Sequence, residues 1–392
     1  MVTPVEQIKS SLLGLIAPEE GTRLEQALVD VAARIQEHDR RRRKIAGILK
    51  ELKGRVNLAG AGELALEEIS ENYFTRTVER DELPDTTVIG VDGGLLTQQL
   101  HGLDLILVRA VAAIFHYIDG ELEGTEYHPS ESPPPKLVGL TEPLDAREFE
   151  LVVGVERQLA EIERAIQAAA SGSADLLLLD GSVVPQYIDR SIQGRRPLKS
   201  YQKLFSMYNE LYEACAGAGI MLAGVVKDSR SSRFIDIIQR KVVPALPELS
   251  PEEQEVLENS RDTVLLDRVL EVGERTLAFR YAEKPADYVL RDLGKWASMV
   301  RVFYMKAVPY DRPLRVEFLD CGDGAAEVAD RVASLVYSLS AHHDAFGLPP
   351  VLIEADARAR LHGEEICMVR DSIVDFLGPS VILDLRRHRW PF

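Results

Sequence analysis

Apolar residues recur at helical intervals from residue 21 to 53. Leu24, Leu28, Val31 and Ile35 are followed by Ile45, Ile48, Leu49 and Leu52, a spacing that predicts one long amphipathic helix. Residues 4–17 and 62–72 read as further helices, so residues 1–80 are expected to form a helical arm whose role is packing or dimerisation. Nothing in the arm alternates like a strand. The character changes near Pro84. Residues 86–91 are a β-branched run, 103–115 a second apolar run, and 120–127 alternate weakly after the turn formers Asp119 and Gly120. Together these three predict a strand meander.

After a proline-rich loop at 129–135, residues 147–170 read as a helix that breaks at Ser171, Gly172 and Ser173. Four consecutive leucines, 176–179, then run into Asp180, Gly181 and Ser182. An unbroken apolar run this short suits a strand buried on both faces. A helix at 201–216 precedes a second such strand at 220–226, which ends at Lys227 and Asp228. Residues 245–272 read as an acidic helical insertion, 303–307 and 314–318 as a strand pair, and 325–340 as a helix. A short strand at 351–353 and a closing helix at 356–376 complete the series. This order describes a mixed sheet with helices on its faces, an α/β domain over residues 81–392.

Composition agrees with a globular core, since 46% of the 392 residues are hydrophobic and 28% are charged. No uninterrupted apolar stretch of membrane-spanning length and no leader pattern occur, so the expectation is a cytoplasmic protein with no membrane contact. Cys215, Cys321 and Cys367 lie far apart, without the paired spacing of a zinc knuckle or a disulfide framework. The formal charge of −17 excludes a general positive coat for nucleic acid. Local basic clusters remain at 40–44, 190–203, 227–233 and 386–389. Each reads equally as a solvated face. Neither the phosphate-loop pattern of an NTPase nor the paired-histidine motif of a zinc protease is present.

The strongest chemical signal is an apolar strand that delivers an aspartate into glycine, and it occurs twice. The first copy runs from Val88 to Asp92, Gly93 and Gly94, and the second from Leu177 to Asp180, Gly181 and Ser182. A carboxylate at the end of a buried strand is costly unless a cation, backbone N–H groups or a basic side chain compensates it. Both aspartates also read as ordinary turn formers. Ligands of open sheets gather beyond the carboxyl ends of strands, where two such aspartates would hold a divalent metal between them. Two-metal phosphodiester hydrolysis needs further oxygens, one ion activating water and the other steadying the leaving oxygen. The intervening helix offers Glu148, Glu150, Glu156, Glu161 and Glu163. Glu156 is preferred because its surroundings, Val152, Val153 and Val155, are unusually apolar. A fourth candidate is Asp356, which follows Pro350, Val351, Leu352, Ile353, Glu354 and Ala355 and reads equally as a helix cap. Lys227 is placed to reach a phosphate or to stand as a solvated lysine.

In this order the residues resemble the NurA nuclease family: Asp92-Gly93-Gly94 after a first strand, a helix glutamate, the leucine run into Asp180, Lys227 and Asp228 after a second strand, and the late acidic segment at 350–356. The likeness covers roughly residues 85–380. It implies an RNase H-like core, Mn²⁺ or Mg²⁺ as cofactor with two ions, and cleavage of DNA as an exonuclease and single-strand endonuclease. It also implies a homodimer that docks on a hexameric HerA-type ATPase in the end resection of double-strand breaks. Carried over by position, the metal ligands are Asp92, Asp180, Glu156 and Asp356, with Glu163 the competing helix ligand. Asp356 stands where many members carry histidine. Leu348 stands near a position where members often carry tyrosine, so that role is unfilled. Two other readings remain open at this stage: an actin-like or sugar-kinase-like ATPase, and a non-catalytic dimeric adaptor.

Overall fold

A computed structural model describes residues 18–53, 69, 71–171, 174–185, 195–241, 249–284, 288–322 and 324–378. The expected helices at 4–17 and, for the most part, 62–72 lie outside these residues, as does the basic cluster at 386–389. The described end of the latter helix is not helical, because Ile69 forms an isolated bridge with Phe279.

The sheet is assembled from an antiparallel meander and two parallel additions. Strand β1 spans Thr75–Thr77, β2 Asp85–Leu100, β3 Leu103–Ile118, β4 Glu121–His128 and β5 Lys136–Leu140. Helix α2, Ala146–Ser171, then crosses to β6, Leu176–Asp180, and helix α3, Arg195–Ala218, crosses to β7, Met221–Val226. Both crossovers join parallel strands: β6 runs parallel to β2, and β7 parallel to β6. The resulting order, β4-β3-β2-β6-β7, is the mixed RNase H-like arrangement that was expected. Four leucines in β6 are buried from both sides, as an interior parallel strand requires.

The sheet continues past β7. Strand β11, Leu314–Leu319, pairs antiparallel with β7, and β10, Val300–Lys306, pairs with β11. The short strands β8, Glu274–Thr276, and β9, Phe279–Arg280, pair with β10, and β1 closes that edge on β8. A strand therefore occurs inside the segment expected to be wholly helical. Helix α1, Pro18–Leu52, buries Ile45, Ala46 and Leu49 in a core shared with helices α4, Arg233–Lys241, α5, Pro251–Glu258, and α6, Asp262–Val269. The second half of the arm is thus part of the domain's packing. Its first half leaves Leu24, Leu28, Val31 and Ile35 exposed. A 3₁₀ segment at Tyr288–Ser298 and helix α7, Ala325–Leu339, cover opposite faces of the sheet.

Two expectations need correction. The expected strand at 351–353 is the start of helix α8, Pro350–Ala359. Pro350 at the first helical position favours that start, and Val351, Leu352, Ala355 and Ala359 are buried at helical spacing. The chain breaks at 360–362 before helix α9, Gly363–Leu377, so the expected closing helix is two helices. The second correction concerns Asp92, Gly93 and Gly94. They form no turn, because β2 runs straight through them to Leu100.

The glycines of β2 serve clearance. A side chain on Gly90 would come within 2.7 Å of the Val351 carbonyl oxygen, and one on Gly94 would strike the Ala359 carbonyl. Those contacts sit eight residues apart on α8, about 12 Å of helix rise. Four strand residues span about 13 Å. Helix α8 therefore lies along β2 in register with it, pressed against bare backbone.

Candidate active site

The pairing of β2 with β6 matches Val88 with Leu176 and proceeds to Val91 with Leu179. One further step brings Asp92 beside Asp180. Alternation places both side chains on one face, because Val88, Leu176 and Leu178 share one core while Ile89, Val91, Leu177 and Leu179 share the other. Neighbouring strands lie about 4.8 Å apart. Two carboxylates from distant sequence are thereby fixed side by side.

The helices add two more acids. Halfway between the glycine contacts on α8 lies Ala355, and the adjacent Asp356 reaches the same place. From α2 comes Glu161. Gly93 makes its approach possible, since a side chain there would lie 2.7 Å from Glu161 Oε1. Strand β6 ends at Asp180, and Gly181 turns the chain away with a φ of 129°, so no strand of β6 separates the two faces beyond that point. This second glycine motif is the turn that both were expected to be.

Electrostatics follow from this crowding. Asp92 is 7% exposed, and burial together with the charges of Asp180, Glu161 and Asp356 pushes its carboxyl up to about 8. A hydrogen bond from the Gly93 N–H, 2.7 Å to Oδ1, opposes the shift only in part. Glu161 is pushed up to about 7 by burial, with Arg157 opposing and Asp180 reinforcing. Glu161 Oε1 is buried without a hydrogen-bond partner, and its nearest cation, Arg157 Nε, stands 3.4 Å away. Among the described residues no cation pairs with Asp92. Asp180 accepts a 2.6 Å contact from Lys227, at the end of β7. Asp356 is half exposed and meets Arg360 at 2.9 Å.

The structure thus gathers four of the expected site residues, Asp92, Asp180, Asp356 and Lys227. It does not bring Glu156 to them. That carboxylate pairs with Lys136 of β5 at 3.1 Å and is not among the groups that act on Asp92. Glu163, the alternative, is exposed. The helix acid at the site is Glu161. Five residues of helix turn through about 140°, so Glu156 and Glu161 leave α2 on different sides of its buried stripe, Val155, Leu159 and Ile162. Only Glu161 leaves toward Asp92.

The loop after Asp180 is held from beneath by buried polar groups. Glu317 of β11 accepts from the Ser182 hydroxyl at 2.5 Å and from the Val183 N–H at 3.2 Å. Arg315 donates to Glu317 at 2.7 Å and to the Tyr304 hydroxyl at 3.2 Å. No sequence pattern marked this network.

An all-oxygen set of Asp92, Asp180, Glu161 and Asp356 is the donor chemistry that Mn²⁺ and Mg²⁺ prefer. Two carboxyls raised toward neutrality and one carboxylate oxygen without a hydrogen-bond partner fit a divalent cation. Among the described residues no three such side chains converge into a ready-made metal cage; Lys227 holds Asp180 in its place.

Comparison with known proteins agrees with this architecture. The NurA domain family matches residues 86–361. The fold is similar to the crystal structure of the NurA nuclease from Sulfolobus solfataricus, at 15% identity and a TM-score of 0.53, covering 92% of this chain and 99% of that one. It is also similar to a crystal structure of NurA with manganese, at 11% identity and a TM-score of 0.50, covering 91% and 99%. No curated protein sequence matches the chain. The family match runs from the start of β2 to just past the end of α8, enclosing every acid of the site, and the chain belongs to the NurA nuclease family.

Proposed function

We propose that the chain is a metal-dependent deoxyribonuclease whose ions, Mn²⁺ or Mg²⁺ and two in number, are held by Asp92, Asp180, Glu161 and Asp356. The observation that carries the reading is the juxtaposition of Asp92 and Asp180 on parallel neighbours, with no arginine among the described residues to neutralise Asp92. A bound divalent ion supplies the positive charge that activates water and steadies the departing oxygen of a phosphodiester. The chain's own part is positional. Strands β2 and β6 fix the aspartates, α2 and α8 bring the other acids, and the Glu317 network holds the turn after Asp180. Lys227 is placed to exchange its contact with Asp180 for a backbone phosphate.

Family membership supports exonuclease and single-strand endonuclease activity, in double-strand break resection beside a hexameric HerA-type ATPase. The exposed stripe of Leu24, Leu28, Val31 and Ile35 on α1 suits a second copy of the chain or that partner. No helix among the described residues is long and apolar enough to cross a membrane, in keeping with action in the cytoplasm. The test is a Mn²⁺-dependent cleavage assay on single- and double-stranded DNA, with and without such an ATPase. Wild type should cut, and Asp92→Asn and Asp180→Asn should not. ATP hydrolysis by the isolated chain, or no activity with any divalent metal, would overturn the reading.

A further inference from the structure

Beyond Lys227 lies a cleft of about 560 Å³. Three separate pieces of chain build its walls: the turn after β7 with Arg230, helix α6 with Arg261 at its start and Arg268 in its last turn, and the loop between β10 and β11 with Arg312. Counting Lys227, five cationic side chains face the cleft against two carboxylates, on a chain whose formal charge is −17. One of those carboxylates, Asp267, is already paired with Lys306 at 2.8 Å. The other, Asp228, meets Arg312 at 3.7 Å, with both side chains largely in solvent. A pair so exposed contributes little and yields readily to another anion. Arg230 and Arg261 are exposed and, among the described residues, pair with no carboxylate. Arg268 is committed to Asp39 of α1, and Lys227 to Asp180.

The floor of the cleft is fixed relative to the acids. Ser229 lies 3.5 Å from the Tyr304 hydroxyl, which donates to Asp262 at 2.8 Å. Asp262 in turn accepts from the backbone of Phe234 and Ile235. Through Arg315 and Glu317 the same chain of hydrogen bonds reaches Ser182, two residues past Asp180. Groups held in this way need no rearrangement to meet a polyanion.

We propose that this cleft binds the sugar-phosphate backbone of a single DNA strand adjoining the scissile bond, a role that rests on the nuclease reading above. Among the described residues no aromatic side chain lines it, so the strand is gripped by its phosphates without regard to sequence. Arg261 and Arg312 belong to segments that no motif singled out.

The test measures binding of the full chain to a fluorescein-labelled oligothymidine in EDTA, by anisotropy across a NaCl series. Each of Arg230→Ala, Arg261→Ala and Arg312→Ala should lower the slope of log K against log salt by about 0.7, with a loss of roughly fivefold at 0.1 M salt. The triple variant should lose about 2 in slope. Arg23→Ala removes the same charge about 24 Å along α1 from Asp39 and should change neither quantity. A triple variant that melts like wild type and keeps its slope and affinity would overturn the proposal. Because binding is read without metal, loss of binding in the arginine variants of a chain that fails to cut with Mn²⁺ would support the cleft while removing the nuclease reading.

Discussion

Replacing Asp92 with asparagine is expected to remove cleavage and stabilise the metal-free protein. In the folded chain this carboxyl is raised from its ordinary 3.8 to about 8, chiefly by burial and next by Asp180. Over that interval the unfolded chain has released the proton while the folded chain keeps it, so stability falls as pH rises, by about 1.4 kcal/mol per unit. The loss begins near the unfolded value and levels off above about 8. At pH 7.5 it amounts to ~5 kcal/mol as an upper bound. Asparagine has the shape of the protonated acid, keeps an oxygen for the Gly93 N–H and has no proton to lose. Burying its amide returns ~1–3 kcal/mol of cost. The net gain is therefore ~2–4 kcal/mol, which at roughly 2 °C per kcal/mol for a chain of this size raises the melting temperature by ~4–8 °C. The assay is thermal melting of both proteins in EDTA from pH 5 to 9. The gap should widen up to about pH 8 and then hold constant. A variant that melts below wild type, or a gap independent of pH, would show that Asp92 is not held against its own charge.

Three further outcomes follow from the same geometry. Glu161→Gln should cost ~10²-fold or more in cleavage, the equivalent of several kcal/mol of lost charge stabilisation, whereas Glu156→Gln should leave the rate within a few-fold; comparing kcat for the two decides which acid serves the site. Adding Mn²⁺ at a hundred times its Kd should stabilise wild type by ~2.7 kcal/mol, read as a melting shift that the Asp92→Asn, Asp180→Asn double variant lacks. Gly94→Ala forces a methyl group into the Ala359 carbonyl and should destabilise by ~1–3 kcal/mol, seen as a lower denaturant midpoint with unchanged m-value.

Local pattern carried much of the architecture, because strands and helices announce themselves by what they bury. The leucine run of β6, the strand pair β10 and β11, and the crossover helices α2 and α3 all lie where their spacing places them. Lateral relations were less legible. Glu156 stands in a more apolar stretch of sequence than Glu161, and that made it the preferred ligand. Yet its charge is met by Lys136, contributed by a short strand that no pattern marked. Which side of a helix faces a given strand is decided by crossing geometry, and composition around one residue does not report it. The same holds for Glu317 and Arg315. Two charged residues inside an apolar strand look like an exposed face, and their mutual pairing, with the hydrogen bonds to Ser182, Val183 and Tyr304, makes burial tolerable.

The misreading of Asp92-Gly93-Gly94 as a turn has a more specific cause. Glycine serves two purposes that are indistinguishable in sequence: it permits positive φ, and it permits close approach. At Gly181 the first applies; at Gly90, Gly93 and Gly94 the second does. A turn after Asp92 would have ended the strand and left its carboxylate facing solvent. A strand that continues, stripped of side chains at 90 and 94, instead admits α8 along its length and with it Asp356, while the bare position at 93 admits Glu161. Residues 351–353, at the start of α8, read as a strand for the complementary reason. The small and apolar residues of α8, Val351, Ala355 and Ala359, are those a helix needs to lie on glycine backbone. The two errors are thus one missing fact, the contact between β2 and α8. That contact adds Asp356 to the charge around Asp92 and Asp180, as the bare position at 93 adds Glu161 from α2.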